Sequence, residues 1–512
     1  MMDLSRSNNE RYDKAMLQRD TDPRAGVMPD AYHCAVTWGI PFDYGGMTSA
    51  MLRRSRAFVS EGGQDVDILT FDYQSDYLDI ACELEVSGEL LPGMKLRNLW
   101  DELRSLPDVV LSAAVSAPRV NGEYLAIAPE EGETETFSGK FRRRVRYGKS
   151  RDDVLQIDYL RTDGSVYASD RRDLVERGTE GGRLICLCNS AGEPVAAWNQ
   201  MWPLYLYWLD TVVAGRETFM IIDSKTTANF LTRYRRPNVI TMHLVHNSHM
   251  AAGAKPPFGQ LSSVRRYTFE RLELFDAVIF LTAAQRKDVN EVYGAVKSTG
   301  VVPNSTELVP FDPNEDRAPG VGVMLASLNA RKRVQHAIGA IASAREAGTD
   351  CSLTIFGEGP HRDRLDRLVQ ASRMNSHVCM PGFSEAARQH LWAASFTLLT
   401  STTEGLPLVL LEAMSGGCLP IAYDIPYGPA DLIDDGVNGF LVEAGDESAL
   451  ARRVAEVVSL SPERSRAMRQ AARETAERFS DSAVTRQWAG EMRIAMDRKL
   501  ESNVAASLVT SP

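Results

Sequence analysis

One rhythm limits this chain more than any other feature: short apolar runs, each followed by a segment of helical period, recur in two blocks. The first block opens at Ala31 with AYHCAVTWGI, turns through PFDYGGMTS, and continues in a helix through Phe58 closed by Gly62-Gly63. It returns in DVDILTF, completing a βαβ unit, and resumes later with FMIIDS, VITMHLVH, AVIFLT and VVPNS. The second block runs from VGVMLASL through SLTIFGEG, HVCMPGF, FTLLTS and LPIAYD. Strands that alternate with helices pair in parallel, so the pattern predicts an α/β protein of two facing doubly wound domains.

Residues 93–200 break the rhythm. VLQIDYLRTDGSVYASD turns at Asp163-Gly164 and RLICLCNSAGEPVAAW turns near Ala191-Gly192, the signature of hairpins. The expected organisation is a tail or short capping helix over 1–30 and a discontinuous N-terminal α/β domain over 31–92 and 201–305. An antiparallel β region is inserted over 93–200, a C-terminal α/β domain covers 306–480, and a helix with a tail from Glu501 closes the chain over 481–512. With 512 residues, 44% of them apolar, the chain has material for several cores, which excludes one small module and wholesale disorder. A net charge of -11 argues against a surface that grips nucleic acid. Seven scattered cysteines without a C-x-x-C pair read as neither a disulfide framework nor a zinc site. No run approaches the roughly 18 apolar residues that a spanning helix needs, and MMDLSRSNNERYDKAMLQRD lacks the apolar core of a secretory signal. The expectation is a cytoplasmic protein, with peripheral association at the inner membrane face left open.

In open α/β sheets ligands bind beyond the carboxyl ends of the strands, so unusual residues just after each predicted strand are the candidates. Gly45 and Gly46 precede a helix, where backbone N–H groups attract an anion, although a simple tight turn explains them equally. His243, His246 and His249 surround the end of VITMHLVH, with His246 at the strand end the best placed and His243 read as a packed core residue. Arg331, Lys332 and Arg333 open a helix whose dipole opposes them, a placement that a bound diphosphate offsets and that a solvated basic turn also explains. Glu404 and Glu412 stand eight apart at a strand-to-helix junction, and Glu412, within an apolar helix, needs a partner if it is buried. Asp65-Val66-Asp67 has the D-x-D form of a metal-binding motif but begins a strand, the wrong end of a sheet for a ligand, and no metal is predicted.

These residues carry a resemblance. Glu404 to Glu412 resembles the E-x7-E pattern of family 4 retaining glycosyltransferases of the GT-B fold, and Phe356-Gly357-Glu358-Gly359-Pro360 resembles their G-x-G-P turn. Trp38-Gly-Ile-Pro, Gly45-Gly46-Met-Thr, the β insertion and Tyr423-Asp-Ile-Pro-Tyr427-Gly428-Pro429-Ala-Asp431 are similar to the bacterial wall-teichoic-acid α-glycosyltransferases and their adhesin-glycosylating relatives. The resemblance implies a catalytic set of Glu404, Lys332 and His246. Lys332 would neutralise the donor diphosphate, Glu404 would touch the donor sugar hydroxyls, and His246 would lie near the reacting sugar. It further implies donor contacts from Gly45, Gly46, Ser327, Glu358, Gly405, Leu406, Leu408 and Glu412, the last holding the ribose. No cofactor other than the UDP-sugar substrate is implied, and front-face attack would keep the anomeric configuration. Ser327 stands where the family has arginine five residues before the lysine, with Arg331 and Arg333 as substitutes, and Pro407 replaces a common glycine and removes one N–H.

For the acceptor, Lys140, Arg142, Arg143, Arg144, Arg146, Lys149 and Arg151 put seven cations into twelve residues of the insertion. They suit an anionic polyol-phosphate polymer or glycan, and equally a basic edge strand protected against aggregation. The expected activity is transfer of glucose or N-acetylglucosamine from a UDP-sugar to such a polymer. The competing readings are a Ser/Thr-rich protein or a small or lipid acceptor, or a non-catalytic partner subunit of the same shape. Related insertions build oligomers, so the resemblance also implies a homo-oligomer.

Overall fold

The computed structural model describes residues 28–73, 77–108, 110, 124–137, 141–172, 183–294 and 298–510. By packing, the chain divides into two compact units, one of residues 30–59 and 64–241, the other of 242–512 with the turn 60–63. In the first unit β1 (Tyr32–Val36), β2 (Val66–Thr70), β3 (Met94–Asn98) and β10 (Thr218–Ile222) run parallel in the order β10-β1-β2-β3. β3 and the helix Leu99–Ser105 belong to this layer, not to the insertion as expected. MKLRN escaped notice because an edge strand carries charges, Lys95 and Arg97, where an inner strand is apolar.

The insertion is a six-stranded antiparallel meander: β4 (Glu133–Phe137), β5 (Phe141–Tyr147), β6 (Val154–Leu160), β7 (Val166–Arg171), β8 (Leu184–Cys188) and β9 (Pro194–Trp198). Both expected turns occur, with the Gly164 N–H bonded to Arg161 O and the Gly192 N–H to Asn189 O. Helix Gly46–Ser60 lies on the parallel sheet and is held by a buried bidentate pair: both Arg54 Nη atoms donate to Asp223, just after β10, at 2.8 Å. Two charges of this kind are retained in a core only when each satisfies the other, so the start of this helix has a fixed address.

In the second unit β11 (Val239–Val245), β12 (Ala277–Phe280) and β13 (Thr299–Val301) run parallel. β11 is the strand in which the division falls, and the first sheet as a whole has the order β13-β12-β11-β10-β1-β2-β3. A second parallel sheet follows, β14 (Val321–Leu325), β15 (Ser352–Phe356), β16 (Val378–Gly382), β17 (Phe396–Leu399), β18 (Leu419–Asp424) and β19 (Phe440–Glu443), in the order β16-β15-β14-β17-β18-β19. The packing division at 241/242 differs from the expected domain boundary at 305/306 because residues 242–305 share side-chain contacts with the second sheet and the last helix, among them Lys499 Nζ on Asp276 and Tyr427 on Asp288. The segment from Glu501, read as a tail, continues the helix Asp481–Thr510.

Each sheet reverses its strand order once, at β1/β10 and at β14/β17, and a crevice forms where neighbouring connections leave in opposite directions. The G-x-G turn after β15 serves the second of these. A Cβ on Gly357, at φ +136, would meet Ala326 O at 2.1 Å, and one on Gly359 would meet Leu328 O at 2.5 Å, so only glycine lets this turn lie against the loop after β14. Gly357→Ala is expected to destabilise the protein by roughly 2 kcal/mol or more, whereas Gly490→Ala, in an open helical position, should gain about 0.5–1 kcal/mol. Urea unfolding of both variants decides it, and an unchanged midpoint for Gly357→Ala would refute the close-approach argument.

Candidate functional site

The loop after β14 and the loop after β17 meet at the second switch point. Asn329 accepts from the N–H groups of Arg331 and Lys332 at 3.1 and 3.3 Å and closes the short turn Ala330–Lys332. Arg333 then takes a left-handed conformation, φ 45, and the helix Val334–Glu346 begins. The three cations therefore do not sit in the first turn of that helix, as expected, but before it. Two backbone links join the loops: Thr402 N donates to Arg331 O at 2.8 Å, and Thr400 Oγ1 donates to Lys332 O at 2.7 Å.

On this frame Lys332 Nζ lies 2.7 Å and Arg331 Nη1 3.0 Å from the same atom, Glu404 Oε1. Glu404 is 9% exposed. Burial alone would push its carboxyl up, but Lys332 and then Arg331 outweigh that and hold it below the usual carboxylate range. The three charges sum to one excess positive charge, an arrangement suited to an anion.

The neighbouring residues are placed by close backbone approach. A Cβ on Gly405 would meet His246 O at 2.2 Å, so glycine there brings the end of β11 against the Glu404 loop. Leu406 is buried and its carbonyl accepts from Asn304 Nδ2 at 3.1 Å. Pro407 precedes the helix Leu408–Ser415, and Leu408 is the first N–H of that helix start, since proline offers none. Glu412, buried in the same helix, meets Arg388 Nε at 2.9 Å, the ion pair its burial demands.

Of the other expected residues, Ser327 is exposed, and Glu358 turns its side chain to Arg362 while its carbonyl accepts from Leu328 N at 2.9 Å. Gly45 and Gly46 are exposed at the β1/β10 switch point with nothing within 4 Å of an added Cβ. His243 packs on Phe275, as expected, and His249 is stacked between Phe269 and Tyr427. Burial, then Arg265, lower His249 to about 4, so it is neutral at physiological pH. On β5, Arg143 pairs with Glu135, Arg144 donates to Ile127 O, and Arg146 reaches Gln156, while Arg142 accepts from Tyr73 Oη at its carbonyl and its guanidinium meets no partner among the described residues; Lys140 lies outside them. Asp67 of the D-x-D motif pairs with Arg97 and Tyr32 inside its own sheet. No group of three or more His, Cys, Asp or Glu among the described residues is arranged to hold a metal ion. Arg388 was not foreseen, since it lies 24 residues before Glu412 and no periodicity links them.

Residues 305–475, which contain this whole constellation apart from His246, match the family glycosyl transferases group 1. The chain is 22% identical to the poly(glycerol-phosphate) alpha-glucosyltransferase of Bacillus subtilis strain 168, over 93% of this chain and 76% of the relative. It is 21% identical to the poly(ribitol-phosphate) alpha-N-acetylglucosaminyltransferase of Staphylococcus aureus strain COL, over 87% and 96%. Among solved structures, that of a S. aureus TarM mutant in complex with fondaparinux, alpha-GlcNAc-glycerol and UDP superposes with a TM-score of 0.68 at 18% identity, over 90% of this chain and 99% of that one. The fold is GT-B, as the sequence led us to expect.

A carboxylate held below its unfolded pKa adds stability that is complete above that value, near 4.3, and is lost as pH falls through the folded one. Glu404→Gln is therefore expected to cost roughly 3 kcal/mol at pH 7, since it leaves the half-buried Lys332 without its partner, and less at pH 3. Urea midpoints at the two pH values test this, and an equal deficit at both would refute it.

Proposed function

We propose that this chain is a retaining glycosyltransferase that moves glucose or N-acetylglucosamine from a UDP-sugar to hydroxyls of a polyol-phosphate polymer. The observation that carries the reading is the contact of Lys332 with Glu404 at the β14/β17 switch point of a glycosyl transferases group 1 domain. The similarity to two transferases named for polyol-phosphate polymers, over most of each chain, supports the acceptor.

In this mechanism the barrier is lowered by charge placed in advance where the leaving diphosphate gathers it. Lys332 supplies that charge, with the N–H groups at the start of Leu408–Ser415 beside it, and no metal is assigned the role. Glu404, ionised and fixed by its cations, accepts hydrogen bonds from donor-sugar hydroxyls, and Glu412 takes the ribose. His246 lies beside the Glu404 loop through its carbonyl, next to where the sugar would react. Gly45 and Gly46 offer open backbone to an anion at the β1/β10 switch point. A UDP-sugar donor puts the enzyme in the cytoplasm, and the insertion is the surface for self-association. Of the insertion's seven clustered cations, Arg142 and Lys149 are the ones whose charged groups meet no partner among the described residues and are left for an anionic acceptor.

The test is UDP release from UDP-glucose and UDP-N-acetylglucosamine, each with and without poly(ribitol phosphate) or poly(glycerol phosphate). Release is expected with one donor and one polymer, and Glu404→Gln should lower it by about 10²-fold or more. Release indifferent to either polymer would remove the acceptor from the proposal, and UDP binding without turnover would remove the transferase.

A further inference from the structure

Arg265, in the first turn of the helix Ser263–Phe269, is a half-buried cation whose side chain meets no hydrogen-bond or ion-pair partner among the described residues. Burial pulls its guanidinium down to about 10. No Asp or Glu occurs from residue 224 to 269, and the acids just beyond are engaged, Glu270 with Arg271 and Asp288 with Tyr427. A charge taken out of water without a partner costs stability, and an anion is what offsets that cost. Two buried groups nearby are also short of a partner. His249 is 1% exposed, its carbonyl accepts from Ser262 N at 3.0 Å just before the helix of Arg265, and Arg265, after burial, helps to hold its ring neutral. Gln285, fully buried at the start of the helix Ala283–Tyr293 after β12, donates from Nε2 to Asn247 O at 3.0 Å, which fixes which way its amide points. The same Nε2 faces His249 Nδ1 at 3.5 Å, so Nδ1 is assigned as acceptor and the ring proton falls on Nε2. That N–H and Gln285 Oε1 have no partner among the described residues. A spare donor with a spare acceptor suits a hydroxyl, and an unpaired guanidinium suits a phosphate. All three side chains stand beyond the carboxyl ends of β11 and β12, the ligand side of a parallel sheet, and His249 follows His246, whose carbonyl adjoins the Glu404 loop.

We infer that Arg265, with His249 and Gln285 beside it, is an acceptor subsite that takes one phosphate and an adjoining hydroxyl of the polyol-phosphate chain. The inference rests on the acceptor reading above and gives it residues outside the insertion. A cation kept at a cost to the fold is also a marker: removing it should harm acceptor use and spare stability, the reverse of what a structural arginine does.

The experiment uses the full chain with poly(glycerol phosphate) and poly(ribitol phosphate). For the polymer that wild type accepts, it reads kcat and KM, together with UDP binding by calorimetry and the melting temperature, in wild type, Arg265→Met, Arg265→Lys and Arg266→Met. Arg266 is exposed at the next position, so its substitution removes the same charge from the same helix and leaves the subsite intact. Arg265→Met should raise the polymer KM by about 10-fold or more, leave UDP binding unchanged and melt no lower than wild type. Arg265→Lys should recover part of the loss, and Arg266→Met should move KM by less than about 3-fold. An unchanged KM in Arg265→Met, or equal losses in Arg265→Met and Arg266→Met, would overturn the inference. A lower melting temperature with UDP binding lost as well would also overturn it, since the arginine would then be structural. Wild type that uses neither polymer removes the acceptor reading itself, and the inference with it.

Discussion

A single buried carboxylate organises the second sheet's switch point. Glu404 has left water for a place where burial disfavours its charge, and it is tolerated there because Lys332 and Arg331 both reach one of its oxygens. The cations in turn are presented by a turn that Asn329 caps and by loop-to-loop bonds from Thr400 and Thr402. Beyond the short turn Ala330–Lys332, the two loops hold their shape through bonds to each other. The chemistry of the site and the stability of its scaffold are the same set of contacts, and a change made for one is felt in the other.

Glycine supplies the second constraint, by absence of bulk. The turn after β15 presses on the loop after β14 at Gly357 and Gly359, and the loop after β17 presses on the end of β11 at Gly405. These approaches pair the ends of β14 and β15 with each other and those of β17 and β11 with each other. Backbone that close leaves no room for a side chain, which is why specificity at such a place is written in main-chain position and in the few long side chains that reach in from further away, Glu412 and Arg388 among them.

Much of the fold was readable because parallel strands buried on both faces are nearly pure apolar runs, and β10, β11, β12 and β17 are fully buried. β3 was missed for the opposite reason, an edge strand that keeps its charges. The site was half readable. Spacing marked Glu404, Glu412 and Lys332, but a row of three cations does not say which of them meet Glu404. That was decided by one backbone angle, at Arg333, and by hydrogen bonds across some seventy residues of chain, as from Arg331 to Thr403. Arg388 was unreadable because its partner is set by packing of one helix on another.

The meander β4 to β9 leaves the parallel sheet after its edge strand and the helix Leu99–Ser105, and the chain comes back through the helix Met201–Val213 to β10. Among the described residues its six strands pair only with each other. An element that shares no ladder with its host and packs on it through side chains, as Tyr159 does on Trp100, can be lengthened at its turns without shifting any register in the parallel sheet. The same parallel layers can thus carry a meander of another length or charge without a change in their own strand order.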